Sequence, residues 1–322
     1  MQRYPAWMKR PFSPDGVARE VHALVEDLNL ATVCQSAVCP NLRECWSLRQ
    51  LTFMILGDRC TRSCRFCAVE SGRPEPVAAD EPRRVAEAVN RLGLAHVVIT
   101  SVARDDLQDE GAGHFVEVIR QVRRRNPGIT VEALIPDFHG REELLAHLVE
   151  EGRPEVFAHN VETVERLSGL LRPQANYQRS LKVLGFAASL GQGNRIKSSV
   201  MVGLGETPDE VRRTFGDLRS MNVTHLTIGQ YLRPDADHLP VLEYVSLERF
   251  RWYEQLAYGA GFTWVRSGPF VRSSYHAIDA LHPKNNQDLG PQALGLRPQT
   301  TKETQPATWS LQPAATSSRG ES

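Results

Sequence analysis

The sequence predicts an α/β protein built as a partial (β/α)6 TIM-type barrel with N-terminal and C-terminal extensions. Two observations predict this fold. Short apolar runs alternate with longer segments of helical period, which is the pattern of a parallel sheet with crossover helices. The chain of 322 residues also falls within the size of one barrel domain. Six β/α units are too few for a closed eight-stranded barrel, and their spacing fits a partial barrel or, alternatively, an open sheet.

The strands and helices follow from local patterns. The predicted strands are residues 51–56, 96–101, 130–136, 156–161, 196–204 and 225–232. Helices are predicted over residues 17–29, 113–125, 141–151, 176–190 and 246–259, and two more begin after Asp80 and Thr207. The run Thr-Pro-Asp-Glu from Thr207 predicts an N-cap, a first-turn proline and a capping-box glutamate. Because active sites of such folds lie at the carboxyl ends of the strands, the loops after residues 56, 101, 161 and 204 are the expected site.

Composition divides the chain into three parts. Residues 1–50 form a Pro-interrupted arm that must lie against the barrel, and residues 51–282 form the barrel itself. Residues 283–322 are rich in Pro, Gln, Ser and Thr with few large apolar residues, which predicts a disordered tail.

Charge and hydropathy exclude several classes of protein. The 38 Lys and Arg balance the 38 Asp and Glu, so bulk electrostatics favours neither nucleic-acid nor acidic-membrane binding. The start of the chain lacks the apolar core of an export signal, and nothing later approaches the roughly 18 apolar residues of a membrane span. We therefore expect a cytoplasmic protein with no nucleic-acid or membrane partner.

All six cysteines lie between residues 34 and 67. An even number permits a disulfide framework, but such frameworks suit short secreted chains. Cys60, Cys64 and Cys67 form a C-x3-C-x2-C triplet directly after the first strand. Structural zinc usually takes four protein ligands, whereas three cysteines on a 4Fe-4S cube leave one iron open for chemistry. A zinc site or reduced core thiols are the alternatives.

A second triplet precedes the first strand. Cys34, Cys39 and Cys45 are spaced C-x4-C-x5-C. Three thiolates again leave one iron of a cube without a ligand, and no cysteine is left to supply it. This site needs a non-cysteine ligand or an open iron.

Several motifs resemble one known family. The sequence C-x3-C-x-aromatic-C at a strand end resembles the signature of the radical S-adenosylmethionine (SAM) superfamily. The second triplet, in the setting S-A-x-C-P-N-x-x-E-C-W, resembles the lipoyl synthase family within it. Further matching blocks are residues 57–58, 100–107, 159–163, 201–207 and 272–275, and the resemblance spans about residues 5–282.

The resemblance implies two 4Fe-4S clusters and SAM as cofactors. One cluster, on Cys60, Cys64 and Cys67, would chelate SAM and cleave it reductively to a 5'-deoxyadenosyl radical. The other would be held by the metal ligands Cys34, Cys39 and Cys45 with a serine of the R-S-S-Y motif, which carries over to Ser274. The residues alone leave open whether Ser273 or Ser274 is the ligand.

The implied activity is sulfur transfer. The family inserts two sulfur atoms, taken from the auxiliary cluster, at carbons six and eight of a protein-bound octanoyl-lysine, and lipoate biosynthesis is the result. The catalytic residues would then be Ser274 and the three cysteines Cys60, Cys64 and Cys67, which we call the radical triplet. Implied partners are octanoylated lipoyl carrier domains (E2 subunits of 2-oxoacid dehydrogenases and the glycine cleavage H protein), a ferredoxin or flavodoxin type reductant, and an iron-sulfur carrier protein.

Polar residues at the strand ends are the expected SAM contacts. They are Thr100, Ser101, Asn160, Glu162, Lys197 and Glu206. Each alone also fits an ordinary cap or loop hydrogen bond. The sequence departs from the family pattern twice near this site. Glu110 precedes Gly111 where a second glycine is common, and residues 197–199 read Lys-Ser-Ser where Lys-Ser-Gly is common.

Two other functions compete with this interpretation. Another radical SAM sulfur-inserting enzyme, biotin synthase-like or methylthiolating, is disfavoured by the second triplet together with the R-S-S-Y motif. A non-catalytic iron-sulfur or zinc protein is disfavoured because both triplets fall one cysteine short of full ligation.

Overall fold

A computed structural model describes Pro5, Met8 and residues 16–281, which belong to one compact unit. Within residues 16–281 the strands are β1 (Ala31–Thr32), β2 (Thr52–Ile55), β3 (Arg59–Cys60), β4 (Glu70–Ser71), β5 (His96–Ser101), β6 (Thr130–Leu134), β7 (Val156–Ala158), β8 (Arg195–Val202), β9 (His225–Gln230) and β10 (Trp264–Gly268). The helices are α1 (Gly16–Asp27), α2 (Val33–Ser36), α3 (Leu42–Ser47), α4 (Glu81–Leu92), α5 (Ala112–Arg125), α6 (Glu142–His147), α7 (Glu165–Leu171), α8 (Tyr177–Ser189), α9 (Pro208–Ser220) and α10 (Leu247–Gly259).

Eight strands form the main sheet in the order β1-β2-β5-β6-β7-β8-β9-β10. All are parallel except β1, which pairs antiparallel with β2. Every residue of β2, β7 and β9 is buried, as expected for parallel strands covered on both faces. In the described part of the chain β1 and β10 do not pair with each other. The partial-barrel prediction is therefore confirmed.

The predicted six strands are all present, but the count is one short. The seventh parallel strand, β10, pairs with β9 in register from Trp264 to Gly268. Its apolar run ends after Val265 and is followed by a half-buried arginine and by Ser267, so it lacks the continuous apolar character that marks a buried strand. The Ser267 hydroxyl is satisfied in the core by donating to the Phe250 carbonyl oxygen at 2.7 Å.

Local signals set the helix boundaries. Thr207 caps α9 with its side chain, and Glu210 completes the predicted capping box. Asp80 stands at the N-cap position of α4 without a side-chain cap hydrogen bond, and α4 ends at Gly93 in the left-handed conformation. The predicted helix 141–151 is shorter as an α-helix, because α6 passes into a wider turn at Leu148–Gly152.

The N-terminal arm packs into the same core as the barrel. Val21 and Val25 of α1 and Trp46 of α3 are buried in the hydrophobic cluster of the sheet. This agrees with the expectation that the arm cannot form a core alone. The predicted tail, residues 283–322, lies outside the described residues. None of the helices in the described ranges has the length and apolarity needed to cross a bilayer.

Candidate active site

The radical triplet lies in a loop beside the carboxyl ends of the strands. Cys60 ends β3, and its sulfur accepts hydrogen bonds from the amides of Arg62 at 3.4 Å and Ala103 at 3.3 Å. The Arg65 amide donates to the Leu171 carbonyl at 2.8 Å, and the His238 imidazole donates to the Cys67 carbonyl at 2.9 Å. Hydrogen bonds to Ala103, Leu171 and His238 therefore join the loop to three other segments of the chain.

Two thiols of the triplet, those of Cys64 and Cys67, have a raised pKa. Burial, followed by the charges of Cys67 and Glu162, raises the pKa of Cys64 to about 12. Burial, together with the charge of Cys60, raises the pKa of Cys67 to about 11. None of the six cysteines forms a disulfide. Thiolates at this place need a positive partner, and the iron of a cluster supplies one.

Arg62, a buried arginine between Cys60 and Cys64, connects the cysteine loop to two aspartates. The Arg62 guanidinium donates to Asp105 at 2.8 Å and to Asp137 at 2.6 Å, and Asp137 also accepts from Arg179 at 3.1 Å. Burial opposes ionisation of Asp137, but the charges of Arg62 and Arg179 outweigh it and lower its pKa to about 2. Arg62 is therefore an anchor of the loop. Sequence reasoning missed Asp137, although a charged residue just after a buried strand is a signal.

Two of the predicted SAM contacts have unused polar atoms at the strand ends. The Ser101 hydroxyl and the Asn160 amide oxygen are buried, and each lacks a hydrogen-bond partner in the described part of the structure. Buried polar atoms are normally satisfied, so these two fit a site that a polar ligand completes. The Thr100 hydroxyl, in contrast, donates to the Leu134 carbonyl at 2.9 Å.

Glu162 lies near the radical triplet. It adopts a left-handed backbone conformation with φ 66°, and burial raises the pKa of its carboxyl group. Asn160 donates to it at 3.0 Å, and the charge of Arg172 favours its ionised form. The structure therefore brings Ser101, Asn160 and Glu162 to the strand ends as predicted.

The remaining two predicted contacts are engaged elsewhere. The Glu206 carboxylate accepts from the amides of Gly203 at 2.6 Å and Leu204 at 2.9 Å, so it stabilises the turn after β8. Lys197 of β8 is buried, and its ammonium lies 2.8 Å from both carboxylate oxygens of Glu132 in β6. This pairing leaves the Lys197 ammonium unavailable to a ligand at the carboxyl ends of the strands.

The second triplet lies where the arm meets the end of the barrel. Burial and the charge of Cys39 raise the pKa of Cys34. The residues between Cys39 and Cys45 hold the C-terminal segment: the Asn41 amide donates to the Phe270 carbonyl at 2.6 Å, and the Tyr275 hydroxyl donates to Glu44 at 3.0 Å. The second bond joins the R-S-S-Y motif to the segment between Cys39 and Cys45, and the first holds the residue two positions before the motif to the same segment.

An open cavity of about 640 Å³ lies beside the radical triplet. Cys64 and Cys67 line it from one side, and residues 236–240 line it from the other. A small molecule would fit beside Cys64 and Cys67, but none of the six predicted SAM contacts lines this cavity.

Comparison with known proteins places the chain. The model of the Radical SAM superfamily matches residues 54–218. The lipoyl synthase of Caldanaerobacter subterraneus subsp. tengcongensis is 52% identical over 275 residues, covering 85% of this chain and 96% of that protein. The chain belongs to the lipoyl synthase family. The lipoyl synthase of Rubrobacter xylanophilus, 50% identical over 287 residues and covering 89% of each chain, agrees.

A solved structure supports the fold. The FeFe-hydrogenase maturase HydG from Carboxydothermus hydrogenoformans matches with a TM-score of 0.51 and 12% identity, covering 82% of this chain and 78% of that one. Membership of the lipoyl synthase family within the radical SAM superfamily implies a 4Fe-4S cluster, SAM and a second cluster. The two cysteine triplets are the residues that fit these clusters.

Proposed function

We propose that this chain inserts two sulfur atoms at carbons six and eight of an octanoyl group carried on a lysine of a lipoyl domain, in the cytoplasm. We assign Ser274 as the fourth ligand of a cluster on Cys34, Cys39 and Cys45. This assignment is supported by the hydrogen bond from Tyr275 of the R-S-S-Y motif to Glu44, which lies between Cys39 and Cys45, and by the bond from Asn41 to Phe270 just before the motif.

The chemistry requires a radical. The hydrogens at carbons six and eight are not acidic, so a general base cannot remove them. When bound at Cys60, Cys64 and Cys67, a 4Fe-4S cluster supplies the electron that cleaves SAM to a 5'-deoxyadenosyl radical. One SAM molecule is needed for each of the two C–H bonds.

The chain's own groups prepare this site. The amides of Arg62 and Ala103 donate to the Cys60 sulfur, which stabilises negative charge on it. The Ser101 hydroxyl and the Asn160 amide oxygen offer unsatisfied polar atoms for SAM.

In the proposed reaction the second cluster is a substrate, because it gives up its sulfur. Thiolates are soft ligands that suit iron-sulfur clusters, whereas a serine oxygen is a harder and weaker partner for iron. Ser274 would therefore be the ligand that an iron of this cluster gives up most readily. Sulfur donated at the sulfide level to two carbons would give the dithiol form of the lipoyl group.

The proposed partners follow from the same activity. Octanoylated domains of the E2 subunits and of the glycine cleavage H protein would present the substrate. A ferredoxin or flavodoxin type reductant and an iron-sulfur carrier protein would supply electrons and clusters.

A pair of serine variants tests the assignment. Reconstituted Ser274→Ala should still form 5'-deoxyadenosine from SAM, but lose sulfur insertion into an octanoyl-lysine peptide by roughly tenfold or more, as ligand-sphere changes do. Ser273→Ala is the matched control and should retain both activities. Mass spectrometry of the peptide and of 5'-deoxyadenosine reads the outcome. Equal loss of both activities in Ser274→Ala, or selective loss in Ser273→Ala instead, would contradict the assignment.

A further inference from the structure

Three potential metal ligands meet outside both cysteine sites. Of the described residues, Asp105, Glu110 and His139 bring one ligand atom each within 4.8 Å of one another. The Nδ1 atom of His139 lies 3.0 Å from Glu110 Oε2 and 3.8 Å from Asp105 Oδ1. We propose that these three side chains bind a divalent metal ion of the zinc type, separate from the two iron-sulfur clusters.

The distances suit a tetrahedral ion. Zinc binds imidazole nitrogen and carboxylate oxygen at about 2.0–2.1 Å, which places neighbouring ligand atoms of a tetrahedron about 3.3 Å apart. The two observed separations, 3.0 and 3.8 Å, lie on either side of this value. One imidazole with two carboxylates leaves a fourth position for water, as in open zinc sites.

The site is open to solvent on one side and fixed on the other. The Glu110 side chain is 7% exposed, whereas that of His139 is 41% exposed, so an ion reaches the group from the His139 side. Arg62 donates to both carboxylate oxygens of Asp105. A ligating carboxylate is commonly oriented by such an outer hydrogen bond, which leaves its other lone pairs for the ion.

The charges nearby leave room for a cation. Arg141 lies 3.7 Å from Glu110, but its guanidinium is paired with Glu143 at 2.8 Å. Arg62 is shared between Asp105 and the buried Asp137. Arg179 also pairs with Asp137, so two arginines balance two aspartates, and the carboxylate of Glu110 is the negative charge that remains for an ion.

The site is coupled by position to the radical triplet. Asp105 is held by Arg62, which stands between Cys60 and Cys64 in the chain. An ion on Asp105 would therefore be one hydrogen bond away from the loop that carries the cysteines. This feature rests on the described contacts and does not depend on the proposed reaction.

Zinc uptake by the reconstituted holoenzyme tests the site. The protein and a Glu110→Gly variant are incubated with zinc, desalted and analysed for metal content. Glu110 has a left-handed backbone conformation with φ 49°, which glycine adopts without steric cost, so we expect the variant to fold. We expect the parent chain to retain about one zinc ion per chain more than Glu110→Gly. Zinc on incompletely loaded cysteines is the same in both proteins and cancels in the difference.

Two further proteins keep the result decisive. His139→Asn also suits a left-handed position and should lose the same ion. His22→Ala removes a histidine that lies 3.3 Å from Glu26 and beside the Trp46 ring, and it should lose none. X-ray absorption at the zinc edge should show a nitrogen and oxygen shell near about 2.0–2.1 Å in the parent chain. Equal zinc in the parent and Glu110→Gly, or only a sulfur shell near about 2.3 Å, would overturn the proposal.

Discussion

The buried pair of Lys197 and Glu132 offers the sharpest test of what holds the barrel together. The two side chains are 1% and 0% exposed, and the ammonium lies 2.8 Å from both carboxylate oxygens. We predict that Lys197→Met lowers the free energy of unfolding by about 3–5 kcal/mol, because it leaves a carboxylate buried without a partner. Burial raises the pKa of Glu132, so protonation of that group relieves part of this cost.

Replacing both partners should undo the damage. The double variant Lys197→Met with Glu132→Leu substitutes apolar groups of similar size, which is commonly neutral or stabilising by about 1–4 kcal/mol. Urea unfolding of the cluster-free chains, followed by circular dichroism, compares the parent, the single variant and the double variant under one set of conditions. Using cluster-free protein avoids the departure from two-state behaviour that bound clusters cause.

The same double variant separates structure from SAM binding. If Lys197 acts only through Glu132, the reconstituted double variant should cleave SAM at close to the parent rate. A double variant that is as unstable as Lys197→Met, or that is stable but no longer cleaves SAM, would refute this reasoning. The second outcome would return Lys197 to the SAM site predicted from sequence.

Two other predictions concern stability. The pKa of Asp137 is about 2, below its ordinary value of 3.8, so its ionisation stabilises the fold above pH 4, and this contribution of about 2 kcal/mol is lost as the pH falls toward 2. The difference in unfolding free energy between the cluster-free parent and Asp137→Asn should therefore decrease over that range. A constant difference would show that the charge of Asp137 is not responsible. Thr207→Ala should lower the free energy of unfolding by about 1 kcal/mol through loss of the α9 capping box, whereas Thr207→Ser should keep most of it. Thermal unfolding of the two Thr207 variants measures the difference, and equal losses would contradict the capping role.

The sequence was enough to predict the parts of the fold with a strong local pattern. Parallel strands buried on both faces are continuous apolar runs, and the α9 cap has every residue of its motif, so both were visible. Strand β10 was not, because Arg266 and Ser267 interrupt its apolar run and only pairing with β9 makes it a strand.

Site prediction was limited in the same way. Cysteine spacing is local, so both triplets could be recognised from the sequence. The direction of a single charged side chain is not local: Lys197 and Ser101 are both polar strand residues, yet one is paired in the lower barrel and the other has an unused hydroxyl at the strand end. The sequence also could not show which partner Arg62 binds, since only the fold brings Asp137 within hydrogen-bond distance of its guanidinium.

The contacts between the second triplet and the last segment of the barrel set an order of assembly. Asn41 and Phe270 are separated by 229 positions, and Glu44 and Tyr275 by 231. At a synthesis rate of about 5–20 residues per second, the R-S-S-Y motif leaves the ribosome about 10–50 seconds after the cysteines it meets. A cluster that needs Ser274 can therefore be completed only when the whole barrel has been made. With the proposed ligand set, a cluster on Cys34, Cys39 and Cys45 could gain its fourth ligand only after the barrel had been synthesised.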